Sequence, residues 1–107
     1  MSNPQTPAPP PSPTIPLDKL AELLSSTVRW HILRELASGD QLMVVELAER
    51  IRKSKDVTSK QIGLLRTTGV VLQGRNRLYR IAPQFLADKT ERLVDFGYCL
   101  LRLNSFE

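Results

Sequence analysis

The sequence has 107 residues, a net charge of +4 at neutral pH and one cysteine. This length is enough for one domain with a modest core. A single cysteine excludes an internal disulfide framework and suits a reducing compartment, so we expect a cytoplasmic protein. No apolar run approaches the roughly 20 residues that cross a bilayer, and the start lacks the pattern of a signal peptide, so no membrane partner is expected.

The first 16 residues differ in composition from the rest of the chain. They hold seven of the eight prolines and no charged side chain. Because proline fixes φ and cannot donate a backbone hydrogen bond, this composition predicts a disordered, proline-rich tail over residues 1–16. The folded domain is then expected over residues 17–103.

Apolar residues at helical spacing predict three helices in the first half of this domain. The first begins after Pro16. The second is capped by a hydroxyl group within residues 25–27 and ends near Gly39. The third covers residues 44–53.

A fourth helix and a β-hairpin follow. The helix is predicted over about residues 57–68, it ends at Gly69, and its inner face consists of Thr58, Ile62 and Leu65. Two β-prone runs, residues 70–73 and 77–81, flank the turn sequence Gly74-Arg75-Asn76. Two short helices followed by a hairpin with a basic tip indicate a winged helix-turn-helix fold, mainly α with a small β-hairpin.

Leucines seven residues apart favour a last helix over about residues 84–103. This spacing is typical of a helix that packs against another helix. A domain of about 90 residues leaves little of its own surface to cover so apolar a helix, so we expect a homodimer that forms through the terminal helices. The expected interface residues are Leu86, Leu93, Phe96, Gly97, Leu100 and Leu103.

The positive charge is concentrated in one block of the chain. Residues 50–80 hold nine Lys or Arg and a single acid, Asp56, whereas the rest of the chain carries more acids than bases. A basic block of this kind is typical of a surface that binds a polyanion. The alternative is a solvated basic face without a partner.

Three motifs resemble the ArsR/SmtB family of bacterial repressors. They are residues 24–33 (Leu-Ser-Ser-Thr-Val-Arg-Trp-His-Ile-Leu), residues 59–71 (Ser-Lys-Gln-Ile-Gly-Leu-Leu-Arg-Thr-Thr-Gly-Val-Val) and residues 78–83 (Leu-Tyr-Arg-Ile-Ala-Pro). The similarity spans residues 17–103. It implies a winged helix-turn-helix repressor that places its fourth helix in the major groove of DNA.

Two departures separate this chain from the metal sensors that it resembles. Residues 41–47 read Gln-Leu-Met-Val-Val-Glu-Leu, where the sensors carry a Cys-x-Cys pair. The family's other metal site needs Asp and His pairs along the last helix, and residues 84–103 contain no histidine. Because soft metals require thiolate or imidazole ligands, we expect no metal site and no cofactor.

The exposed face of the fourth helix and the hairpin tip supply the expected DNA contacts. Gln61 suits a bidentate pair with adenine, and Lys60 suits guanine or phosphate. The alternatives are a solvated helix face and a hairpin whose charges protect its edge from aggregation. The expected DNA-binding residues are Ser59, Lys60, Gln61, Gly63, Thr67, Arg75 and Arg77.

These patterns predict a sequence-specific regulator of transcription that binds double-stranded DNA as a homodimer. A repressor that does not sense metal fits them best. No catalytic motif accompanies the single histidine, His31, or the single cysteine, Cys99, so we expect no enzyme and a packed, inert Cys99. Two alternatives remain, a winged-helix module that binds protein and a DNA-organising protein without sequence preference. The sequence identifies no inducer or protein partner.

Overall fold

The computed structural model describes residues 14–104, so most of the predicted proline-rich tail lies outside the described part. Within it, four helices precede five short strands. The helices are α1 (Leu17–Leu23), α2 (Thr27–Leu36), α3 (Val44–Ile51) and α4 (Lys55–Thr67). The strands are β1 (Val71–Gln73), β2 (Tyr79–Ile81), β3 (Leu86–Asp88), β4 (Leu93–Asp95) and β5 (Leu100–Arg102).

The folded domain begins earlier than the sequence predicts. Ile15 is buried in the hydrophobic core, although we placed it in the disordered tail. The carbonyl of Pro16 accepts the backbone N–H of Leu20 at 2.9 Å and so forms part of the start of α1. Burial of its apolar side chain favours the ordered position of Ile15, and the proline-rich composition around it does not indicate this burial.

The four helices confirm the predicted order, and their ends have local causes. The Ser26 hydroxyl accepts the N–H of Arg29 at 3.3 Å and caps α2. The Ser54 hydroxyl accepts the N–H of Val57 at 3.1 Å, and α4 therefore begins two residues before the predicted start. Gly69 has a φ of 82°, a left-handed conformation that ends α4.

The predicted hairpin is present as an antiparallel pair. Strands β1 and β2 align Val71 with Ile81 and Gln73 with Tyr79. Leu42, which precedes α3, exchanges two backbone hydrogen bonds with Tyr79, at 2.8 and 3.0 Å. The hairpin is thereby fixed to the start of α3.

The region predicted as a last helix is a three-stranded antiparallel sheet, and this prediction was wrong. Strands β3, β4 and β5 follow one another in the sheet, and Val94 pairs with Leu101. Val94, Phe96, Leu101 and Leu103 are buried at every second position, which is the period of a strand. Leu86, Leu93 and Leu100 are the first residues of β3, β4 and β5, so the strands recur at the same seven-residue spacing as a helical seam.

The sheet also changes the predicted dimer interface. Phe96 and Leu103 are 2% and 0% exposed, and both pack in the core of their own subunit. The Phe96 ring lies 5.4 Å from that of Phe85, centroid to centroid. These two residues therefore cannot form a surface seam, and residues 84–103 do not form a dimerisation helix.

The other four predicted interface residues have separate positions in the sheet. Leu86 and Leu93 are partly buried, and Gly97 lies in the turn between β4 and β5. Leu100 is 55% exposed and remains available to a partner.

Candidate nucleic-acid interface

A short turn orients α4 relative to α3. Residues 52–54 connect the two helices, and Arg52 adopts a left-handed conformation with a φ of 58°. The N–H of Lys53 donates to the carbonyl of Ala48 at 3.0 Å and closes the end of α3. Because α3 packs against both α2 and α4, α4 is held with one side in the core and the other toward solvent.

The inner face of α4 is formed by the residues that the sequence predicted. Thr58, Ile62 and Leu65 are buried. The Thr58 hydroxyl donates to the carbonyl of Ser54 at 2.8 Å, which satisfies the one buried polar group on this face. The rotation of α4 about its axis is therefore fixed by packing.

The outer face carries most of the predicted contacts of this helix. Ser59, Lys60 and Thr67 are exposed, and Gly63 is partly exposed between them. The Thr67 hydroxyl donates to the carbonyl of Gly63 at 2.9 Å. The structure thus places Lys60 near the middle of a solvent-facing helix surface.

Gln61 has a partner within the chain that the sequence did not predict. Its Oε1 accepts a hydrogen bond from Nη1 of Arg29 at 2.6 Å. The Arg29 guanidinium also donates from Nε to the carbonyl of Leu23 at 2.7 Å and from Nη2 to that of Glu22 at 3.0 Å. Arg29 is only 9% exposed. One buried guanidinium therefore joins the end of α1, the start of α2 and the middle of α4.

Gly63 has no structural need to be glycine. A Cβ built at this position would meet no heavy atom within 4 Å. Glycine inside a helix costs about 1 kcal/mol relative to alanine, because it loses more conformational freedom on folding. The fold itself therefore gives no reason for glycine here.

Two apolar side chains on α4 are exposed, and the sequence analysis missed both. Val57 is 42% exposed and Leu64 is 45% exposed. Leu64 also lines a groove of about 410 Å³ between α1 and the second half of α4. Periodicity does not reveal this exposure, because an apolar residue beside the inner stripe can be covered by a neighbouring element or left open.

The hairpin tip is a tight turn with two exposed arginines. The N–H of Gly74 donates to the carbonyl of Leu78 at 2.8 Å, and the N–H of Leu78 donates to that of Arg75 at 3.2 Å. Asn76 and Arg77 both have a positive φ, near 59° and 57°. Arg75 and Arg77 are exposed, as the sequence predicted.

Most of the basic block is solvent-facing, with one member paired. Arg50 lies 3.7 Å from a carboxylate oxygen of Glu35 and 3.6 Å from one of Asp40, which offsets its charge. The exposed bases outside this cluster lie on α4, on the turn before it and at the hairpin tip, and they are Arg52, Lys53, Lys55, Lys60, Arg66, Arg75 and Arg77.

Cys99 is exposed, whereas we expected it to be packed. It lies in the turn between β4 and β5, whereas the sequence predicted it within a helix over residues 84–103. Partial burial, and secondarily the nearby carboxylate of Asp95, raise the pKa of its thiol above the usual value. The thiol is therefore protonated and weakly nucleophilic at neutral pH.

The described part of the chain shows neither a metal cluster nor a membrane span. Within residues 14–104, no three His, Cys, Asp or Glu side chains are grouped so that they could hold a metal ion. No helix of that range is both long and apolar enough to cross a bilayer.

Two packed helices followed by a β-hairpin with a basic tip define a winged helix-turn-helix domain. Among solved structures, the crystal structure of the transcriptional repressor BigR from Xylella fastidiosa is similar to this chain, with a TM-score of 0.57 and 30% sequence identity. The similarity covers 63% of this chain and 68% of the BigR chain. No protein-family model and no curated protein matches. The chain belongs to the winged-helix family of transcriptional regulators.

Proposed function

We propose that the protein is a transcriptional regulator of the ArsR/SmtB type that binds specific sites in double-stranded DNA and acts as a repressor. The observation that carries this proposal is the outer face of α4, where exposed Lys60 lies within a surface rich in solvent-facing bases. The similarity to a repressor at 30% identity supports the same function.

Each exposed residue has a chemical role in this proposal. Lys60 donates to guanine O6 or N7, or to a phosphate. Ser59 donates to a phosphate oxygen and fixes the position of α4 in the major groove. The Thr67 hydroxyl, which donates to the carbonyl of Gly63 at 2.9 Å, reaches a phosphate only by exchanging that bond. Arg75 and Arg77 contact phosphates or the adjacent minor groove, where their long side chains follow the DNA backbone.

Gln61 takes a different role from a direct reader of adenine. A bidentate pair with adenine uses both the oxygen and the nitrogen of the carboxamide. Arg29 already donates to that oxygen at 2.6 Å, so such a pair would compete with the bond. We propose that Gln61 mainly positions α4 against Arg29, and that Lys60 is the principal reader of bases.

We further propose that the protein binds as a homodimer and does not respond to metals. One helix of this length reads only a few base pairs, and two-fold symmetry would place two copies of α4 about one turn of DNA apart. Apolar residues replace the thiolates within residues 41–47, which supports insensitivity to metals. Zn(II) or Cd(II) should then leave the DNA complex intact in a titration.

The proposal is tested by selecting duplexes from a random pool with the purified protein and measuring the Kd of the best one by fluorescence anisotropy. Lys60→Ala should cost about 1–3 kcal/mol in specific binding and much less in binding to a scrambled duplex. Lys89→Ala removes the same charge from an exposed position after β3 and serves as the matched control.

Two results would contradict the proposal. Absence of any salt-dependent duplex binding would indicate a module that binds protein. Binding with equal affinity to selected and scrambled duplexes would indicate a DNA-organising protein.

A further inference from the structure

The exposed face of α4 contains a pair of apolar side chains beside its central lysine. Val57 and Leu64 lie seven residues apart, so they fall on nearly the same side of the helix, with Lys60 between them along its length. Each is more than 40% exposed. Gln61 lies between them in sequence, and its side chain is drawn toward Arg29. Two apolar side chains are thus exposed on the surface that we propose contacts DNA.

The charge around this pair indicates the chemistry of its partner. Lys60 is exposed on the same side of α4 as this pair, about 60° away around the helix axis, whereas exposed Lys55 and Arg66 lie on the other side of the helix. A surface with this charge fits a polyanion that also presents apolar groups. The major groove of DNA meets both conditions, since thymine displays its C5-methyl group there between two phosphate backbones.

The spacing of the pair fits DNA as well. Seven residues of an α-helix span about 10 Å, because each residue rises about 1.5 Å. Base pairs are stacked about 3.4 Å apart, so this distance corresponds to about three base-pair steps. Two methyl groups separated by a few base pairs can therefore be contacted from one helix.

We propose that Val57 and Leu64 read the C5-methyl groups of thymines that flank the base pair contacted by Lys60. This inference rests on the proposed function and adds a specificity that the polar residues of α4 do not supply. It requires only apolar burial, so it should leave the salt dependence of binding unchanged.

The test compares a selected duplex with the same duplex in which deoxyuridine replaces thymidine, which removes only the methyl groups. The wild-type protein should bind the deoxyuridine duplex about fourfold more weakly for each methyl group contacted. Val57→Ala and Leu64→Ala should each bring the ratio of the two Kd values closer to one. Leu17→Ala truncates an exposed leucine on α1 and should preserve the wild-type ratio.

The outcomes separate this inference from the proposed function. If the wild-type protein binds its selected duplex specifically but makes no distinction between thymidine and deoxyuridine, the methyl readout is overturned and the regulator remains. If both alanine variants keep the full ratio, other residues contact the methyl groups and the assignment is overturned. If no duplex is bound specifically, the proposed function itself fails. Both positions are exposed, so the variants should fold, and circular dichroism checks this.

Discussion

Gly63→Ala separates what the fold needs from what DNA binding needs. A Cβ at this position meets no heavy atom within 4 Å, so the added methyl group has space in the free protein. Alanine is favoured over glycine inside a helix by about 0.8–1.0 kcal/mol. The variant should therefore be more stable by about this amount, which raises Tm by roughly 4–8 °C in a domain of this size. Calorimetry measures the change directly.

The DNA affinity of the same variant should decrease. If the helix backbone at Gly63 lies against DNA in the complex, a new methyl group overpacks that contact and costs about 1–3 kcal/mol. This corresponds to a loss of roughly 5- to 150-fold in affinity, measured by anisotropy on the selected duplex.

A matched glycine variant shows whether the stability argument is sound. Gly69→Ala adds the same methyl group in open space, but the φ of 82° there should make the variant less stable. A Gly63→Ala protein that gains stability and keeps its full DNA affinity would refute the close approach of α4 to DNA.

Three further predictions concern the rest of the domain. Arg29→Met should lower the free energy of unfolding by about 2–4 kcal/mol, because the variant loses three hydrogen bonds from a nearly buried guanidinium. A loss below about 0.5 kcal/mol in urea denaturation would contradict this prediction. Asp95→Asn should lower the raised pKa of the Cys99 thiol and so speed its alkylation at about pH 8. An unchanged alkylation rate would show that the Asp95 carboxylate has no influence on the pKa of the thiol. Phe96→Ala should lower the free energy of unfolding by about 3–5 kcal/mol at any protein concentration, whereas Leu100→Ala should lower it by less than about 0.5 kcal/mol. A loss in Phe96→Ala that depends on protein concentration would indicate that Phe96 lies in an interface between subunits.

The sequence was sufficient where local rules and tertiary packing agree. Periodicity alone identifies Thr58, Ile62 and Leu65 as the inner face of α4, because only a 3.6-residue repeat aligns all three. The turn residues after β1 predict the hairpin because glycine and asparagine tolerate the backbone conformations of a tight turn between two β-prone runs. Both features depend on residues close together in the chain.

The sequence was insufficient where one spacing fits two structures. Positions seven residues apart align on a helix, and the three leucines with this spacing, Leu86, Leu93 and Leu100, also begin the three successive strands of the sheet. Val94 and Phe96 alternate with Asp95 and precede Gly97, a pattern that favours a strand and a turn, but the prediction of a helix considered only the leucine repeat. The alternation of burial in β5 gives the same evidence for a strand.

Two features of the candidate site depend on distant parts of the chain. The bond between Arg29 and Gln61 joins residues 32 positions apart, and no local pattern in either helix indicates it. The exposure of Val57 and Leu64 depends on which elements pack beside α4. Site chemistry of this kind follows only from the assembled fold.

The most direct test of the proposed DNA-binding surface is a titration of the isotope-labelled protein with its selected duplex, followed by NMR of the backbone amides. The largest shift changes should fall on residues 54–67 of α4 and its cap and on residues 74–78 of the hairpin tip. The amide shifts of the sheet over residues 86–102 should change little. Shift changes confined to that sheet, with α4 unaffected by saturating duplex, would contradict the account.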